Sequence, residues 1–254
     1  MRSFFHSRDD EAAPPIEPVP TVFPAILGAD IAAVFVGKRI AGDFYDSIRV
    51  SPERVLIGLL DVAGRREDNR SLLTAAQDIF RNAGAELFSR QDINEADAMT
   101  ELSLHLNRGL IEGADRVLSC PAFIACYHEK FGTLCYANAG HTPALLRDGS
   151  GITELSSTGL PLGLFSHATA EARIVALEER SSFLVVSKGV VACEERSNRS
   201  LEDFGLDRVK SLLEHAPPTS AGALCDAVLR GVAEFSEGCP ICDDRTALAL
   251  VRTA

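Results

Sequence analysis

Residues 54–62 read RVLIGLLDV, and the comparison of their two faces decides the fold. In an extended chain alternate side chains point to opposite sides, so Val55, Ile57 and Leu59 share a face with Asp61, while Leu56, Gly58 and Leu60 line the other. Both faces are apolar, which predicts a strand covered on each side. A carboxylate at the end of such a strand, Asp61, is costly to ionise unless it is paired, hydrogen-bonded or bound to a metal. Asp61-Val62-Ala63-Gly64 also reads as a turn, and the local sequence leaves both readings open.

Upstream, ADIAAVFVG (29–37) and DFYDSIRV (43–50) are further apolar or alternating runs, and Ser51-Pro52-Glu53 is a turn signal before residue 54. The three runs predict an antiparallel meander. Asp43 and Asp46 fall on opposite faces of a regular strand, so only one can join a common cluster without a bulge. Downstream, Leu72, Leu73, Ala76, Ile79, Phe80, Ala83 and Leu87 recur at helical spacing, as do Met99, Leu102, Leu106 and Leu110. Strands are expected at 121–129, 132–138, 143–147, 171–177 and 182–187. Two more helices follow, on Leu206, Val209, Leu212 and Leu213 and on Leu224, Val228, Val232 and Phe235, and TALALV (246–251) closes the chain as a strand. This order predicts an α+β unit of packed antiparallel sheets with helices outside.

The chain has 254 residues, 46% hydrophobic and 24% charged, enough apolar material for a large core and unlike a disordered or low-complexity chain. Its 36 acidic and 25 basic side chains give a net charge of −11, which argues against nucleic acid or anionic membrane as the main partner and suits cation binding. Asp30, Lys38 and Asp43 interrupt the best early membrane-spanning candidate. The start, MRSFFHSRDDEAAPP, lacks the apolar core of a signal peptide, so a cytoplasmic protein is expected. Five of the twelve prolines lie in 14–24, which predicts an arm or linker over 1–23 and one folded domain over 24–254. The seven cysteines are odd in number and scattered, unlike a disulfide framework. Cys239 and Cys242 have CxxC spacing, but without a second pair they read as unpaired thiols before zinc or redox chemistry.

Five segments occur in a telling order: Ala41-Gly42-Asp43-Phe44-Tyr45-Asp46, Leu60-Asp61-Val62-Ala63-Gly64, Asn138-Ala139-Gly140-His141-Thr142-Pro143, Gly159-Leu160-Pro161-Leu162-Gly163-Leu164-Phe165 and Asp243-Asp244-Arg245-Thr246. Together they resemble the stage II sporulation protein E branch of the PPM (protein-phosphatase-2C-like) phosphatases, from about residue 24 to the C-terminus. The resemblance implies an αββα sandwich with a binuclear Mn²⁺ or Mg²⁺ centre. Its implied reaction is hydrolysis of phosphoserine or phosphothreonine on a protein, often an anti-sigma-factor antagonist. Hard divalent cations prefer oxygen ligands, and a pair of them lowers the pKa of a shared water and clamps phosphoryl oxygens. By resemblance Asp61 bridges both metals, Asp43 and the Val62 carbonyl hold one, and Asp243 holds the other, with Asp46 and Asp244 as supports.

The chain departs from this family where Thr-Asp-Gly is usual and Ser187-Lys188-Gly189 stands instead. A protonated lysine cannot ligate, so Lys188 either takes the electrostatic place of one ion or points to solvent. One tight Mn²⁺ or Mg²⁺ site is therefore expected rather than two. Arg65-Arg66-Glu67 also replaces the usual Gly-Lys-Gly. Arg39 is placed where a phosphate-binding guanidinium would be useful, though an exposed strand-end charge is the simpler reading. His141 invites a general-acid role, but a hydrogen bond fixing its loop is the better expectation. Two classes stay open, a metal-dependent protein phosphatase and a pseudophosphatase that binds a phosphorylated or regulatory protein; a homodimer is compatible with either.

Overall fold

The structure, a computed structural model, describes residues 18–37, 42–65, 68–114, 119–194, 202–216, 220–236 and 243–253. Ten strands and five helices follow in order: β1 (Ala29–Val36), β2 (Gly42–Ser51), β3 (Arg54–Val62), α1 (Arg70–Phe88), α2 (Glu95–Gly113), β4 (Ala122–His128), β5 (Thr133–Ala139), β6 (Ala144–Asp148), β7 (Gly151–Leu155), β8 (Arg173–Ala176), β9 (Ser182–Val186), α3 (Lys188–Val191), α4 (Gly205–His215), α5 (Ala221–Phe235) and β10 (Arg245–Arg252). They form two five-stranded sheets, ordered β1-β10-β9-β6-β7 and β2-β3-β4-β5-β8, with every named pairing antiparallel.

The two-faced reading of 54–62 explains the layering. Leu56 and Leu60 pack under α1 and α2 with Leu73, Phe80, Met99 and Leu102. On the other face Val55, Ile57 and Leu59 meet Phe183, Val185, Leu248 and Leu250 of the second sheet. That sheet's outer face packs on α4 and α5 through Val186, Ala247, Ala249, Val209 and Val228. The result is an αββα sandwich with the expected α+β character. Helix α2 starts at Asn94, whose side chain accepts from the amides of Ala96 and Asp97 and so satisfies donors that the first turn leaves open. Among the described residues no helix is long and apolar enough to cross a membrane.

One expectation is overturned. β2 and β3 form the predicted hairpin, but β1 does not join it as a meander; it pairs with β10 in the other sheet, Ala29 opposite Arg252 and Val36 opposite Arg245. Turn signals report neighbours in the chain, whereas this pairing is made by two strands at opposite ends of the domain. The structure also adds β7, an edge strand with a mostly exposed pattern, and the short α3.

Asp46 is a structural hub. It faces α1, fully buried, where Arg81 donates to both carboxylate oxygens, at 2.6 and 3.0 Å, and Gln77 donates at 3.1 Å. Gln77 also accepts from the Val19 amide and donates to the Val19 carbonyl, and Thr21 donates to Asp46 and to the Tyr45 carbonyl. Residues 18–21 are thereby laced to β2 and α1. Removing the guanidinium leaves a buried carboxylate with fewer donors, so Arg81→Leu is expected to destabilise the fold by about 2 kcal/mol. The Asp46→Asn/Arg81→Leu double variant should be less destabilised than the sum of the single changes in urea unfolding.

Candidate functional site

The hairpin register sets the first pair of acids. Asp43 on β2 lies directly opposite Asp61 on β3, and Gly42 lies opposite Val62. Directly opposed residues share a face of the sheet, so the two carboxylates emerge side by side at the rim between the sheets. Gly42 is required by this closeness, because a Cβ there would lie 2.0 Å from the Val62 carbonyl oxygen. The last acids come from the other sheet, where Asp243 and Asp244 lead directly into β10. Gly189 of α3 packs against them, and a Cβ on it would meet the Asp244 carbonyl oxygen at 2.0 Å and the Asp243 Cβ at 3.3 Å.

Burial and mutual repulsion show in the titration of the pair. Burial pushes the Asp43 carboxyl up to about 7, hydrogen bonds from Thr246 and Ser187 oppose that rise, and the charges of Asp61 and Asp243 add to it. Burial also raises Asp61, as do the charges of Asp243 and Asp244, while the Lys188 ammonium pulls it down. Asp43, Asp61 and Asp243 are therefore within electrostatic reach of one another, with Lys188 as the cation beside Asp61. Lys188 is exposed at the start of α3. Asp244 is buried, and its amide donates to the Asp243 carboxylate at 2.9 Å.

Several neighbouring features hold the rim rather than form it. The Asp61 amide donates to the Pro121 carbonyl at 2.8 Å. Leu162, in the 159–165 loop, exchanges backbone bonds with Cys120, and the buried Asn107 of α2 pins that loop through the Gly163 amide and the Phe165 carbonyl. His141 has its amide on Asn138 Oδ1 at 2.8 Å and its ring Nδ1 beside the Thr142 carbonyl at 3.1 Å, the loop-fixing arrangement. Sequence reasoning assigned no part to Thr246 or to the hydroxyl of Ser187. A hydroxyl three positions after an acid carries no pattern of its own until strand pairing brings it across the sandwich. Arg39, Arg66, Cys239 and Cys242 lie outside the described residues. The five described cysteines are free and buried, and burial pushes the thiols of Cys135 and Cys225 up to about 12, which leaves them inert near neutral pH.

Among the described residues no group of three or more His, Cys, Asp and Glu side chains is arranged so that it could hold a metal ion. The donor chemistry is nonetheless of the kind that suits a hard cation. Hard oxygen donors with raised proton affinity meet at one rim, and an added positive charge relieves their repulsion. Asp61 and Asp243 are only partly buried, so their side chains have room to turn toward an ion. The positive charge of Lys188 already answers part of that demand.

A family model described as stage II sporulation protein E matches residues 51–253. The phosphoserine phosphatase RsbP of Bacillus subtilis is 25% identical over 155 residues, which are 61% of this chain and 37% of that relative. The chain thus spans far less than the whole length of this curated relative. Among solved structures, the SiaA-PP2C domain of Pseudomonas aeruginosa superposes with a TM-score of 0.74 at 18% identity, covering 88% of this chain and 86% of the other. The RsbU and RsbW domains of a Mycobacterium tuberculosis protein give 0.70 at 22%, covering 91% and 62%. At such identities these structures establish a common fold.

The buried His141 supplies a pH test. Burial lowers its pKa from 6.5 to about 4, so the folded state takes up its proton less readily than the unfolded state. The stability it contributes is intact above 6.5 and is lost as pH falls from there toward 4. Between those limits, the urea midpoint of His141→Asn should fall less steeply with acidification than that of the unmodified protein.

Proposed function

The chain belongs to the stage II sporulation protein E family, and from that membership we propose that residues 24–254 act as a protein serine/threonine phosphatase domain working with one Mn²⁺ or Mg²⁺. The observation that carries this reading is the register of Asp43 against Asp61, with Asp243 brought to the same rim from the other sheet. The Asp43 and Asp61 carboxylates and the Val62 carbonyl would hold the cation, with Asp243 facing them. When bound, a divalent cation supplies Lewis acidity toward a phosphoryl oxygen and a water of lowered pKa. The chain itself contributes position and charge. Asp61 is oriented by its place at the end of a fully packed strand and by its amide bond to Pro121. Lys188, exposed beside Asp61, is a point charge able to pair with a phosphoryl oxygen, a task for which an ammonium is suited.

The substrate class follows from family and charge. RsbP is named a phosphoserine phosphatase, and an acidic chain with Lys188 at its acid rim suits a phosphorylated protein segment better than a polyanion. We place the substrate among phosphorylated proteins such as anti-sigma-factor antagonists, in partner-switching signalling in the cytoplasm. A second reading, a pseudophosphatase that binds the phosphorylated partner without turnover, draws on Lys188 standing where the family places a ligand acid.

Hydrolysis of a phosphoserine peptide with and without Mn²⁺ separates the two. The phosphatase reading expects metal-dependent turnover that falls by about 100-fold or more in Asp61→Asn. Peptide binding in chelator with no turnover at any Mn²⁺ concentration would instead establish the binding module. Lys188→Asp exchanges a cation for an oxygen donor, so this variant is expected to take up a second Mn²⁺ in calorimetry and to hydrolyse the peptide faster. Unchanged stoichiometry and rate in a folded Lys188→Asp protein would show that Lys188 does not limit the centre.

A further inference from the structure

The acids of the rim come from two sheets: Asp43 and Asp61 from the β2-β3 hairpin, and Asp243 from the lead into β10. Between the sheets lies an apolar layer built on residues such as Ile57, Phe123, Phe183 and Leu250. Apolar burial holds the layers together, but it is non-directional and specifies no fine offset at the rim. A cation held by Asp43 and Asp61 of one sheet while facing Asp243 and Lys188 of the other needs that offset fixed to a fraction of an ångström.

A directional contact supplies it. Thr246 Oγ1 donates to Asp43 Oδ2 at 2.6 Å, joining residues 203 positions apart. Thr246 is fully buried on β10, in register with Phe35 of β1. Ser187, also fully buried, continues the β9–β10 ladder: its amide donates to the Thr246 carbonyl at 2.9 Å, and its Oγ accepts from the Thr246 amide at 3.0 Å. Ser187 Oγ also donates to the Asp244 carbonyl at 3.4 Å, and its side chain opposes the rise of the Asp43 carboxyl. The Thr246 hydroxyl on one sheet therefore grips a carboxylate on the other, and Ser187 holds Thr246 in place. The β-branched Thr246 is stiff at χ1, which fixes the direction of its hydroxyl.

We propose that Thr246, backed by Ser187, is a positioning residue that clamps Asp43 from the opposite sheet and so sets the cation affinity of the rim. The proposal rests on the metal reading above. It differs from a role in stability alone, because it makes affinity follow the hydroxyl and not the fit of the methyl group.

Mn²⁺ calorimetry on the full chain, with thermal unfolding in chelator alongside, tests it. Thr246→Val keeps the shape and removes the hydroxyl, and its Mn²⁺ affinity should fall by about 10- to 100-fold. Thr246→Ser keeps the hydroxyl and loses the methyl, and its affinity should stay close to that of the unmodified protein even where its melting temperature falls. Equal affinity in Thr246→Val and the unmodified protein would overturn the proposal, as would equal losses in both variants. If Thr246→Val does not fold, Ser187→Ala decides: several-fold weaker binding supports the clamp, and unchanged binding overturns it. An unmodified protein that binds no Mn²⁺ would instead remove the metal reading, and the clamp with it.

Discussion

Like charges gathered at the rim of a sandwich are the constraint on which this structure turns. Asp43 and Asp61 face each other across one antiparallel ladder, Asp243 approaches from the second sheet, and burial raises the cost of ionising the first two. Such a cluster survives only with compensation. The protein provides two kinds: the Thr246 hydroxyl on Asp43 and the Lys188 ammonium beside Asp61. Much of the surrounding architecture serves this arrangement. Gly42 lets β2 and β3 approach at Val62, Gly189 lets α3 sit against Asp243 and Asp244, and Asn107 holds the 159–165 loop.

Lys188 changes the balance without dissolving the cluster. The Lys188 side chain beside Asp61 opposes the rise that burial and the neighbouring acids impose on that carboxyl. On the proposed reading, a centre built this way demands fewer cations for charge balance and offers fewer oxygen ligands to hold them. The same side chain gives the rim a fixed positive charge that a phosphoryl group can meet. Asp43, Asp61 and Asp243 lie within electrostatic reach of one another at this rim.

What could be read in the sequence divides along the line between local and non-local order. The double-faced burial of 54–62 was legible because strand alternation is local, and it led to the correct layering, with Leu56 and Leu60 under the helices and Ile57 and Leu59 between the sheets. The opposed faces of Asp43 and Asp46 were legible for the same reason: one reaches the rim and the other is buried against Arg81. The place of β1 was not, because its partner β10 lies at the far end of the chain and no turn signal reports it. β7 escaped notice because an edge strand reading GITEL, mostly exposed, has no apolar alternation to show. Thr246 and Ser187 were invisible as a clamp because their meaning depends on how the sheets stack.

The most direct test of the account is anomalous diffraction from crystals grown with Mn²⁺, which locates and counts ions without reference to activity. A single manganese peak at the rim, in contact with the Asp43 and Asp61 carboxylates and the Val62 carbonyl, with the Lys188 ammonium on the side of Asp243, is the expected result. Two fully occupied manganese positions, or none at saturating metal, would contradict it.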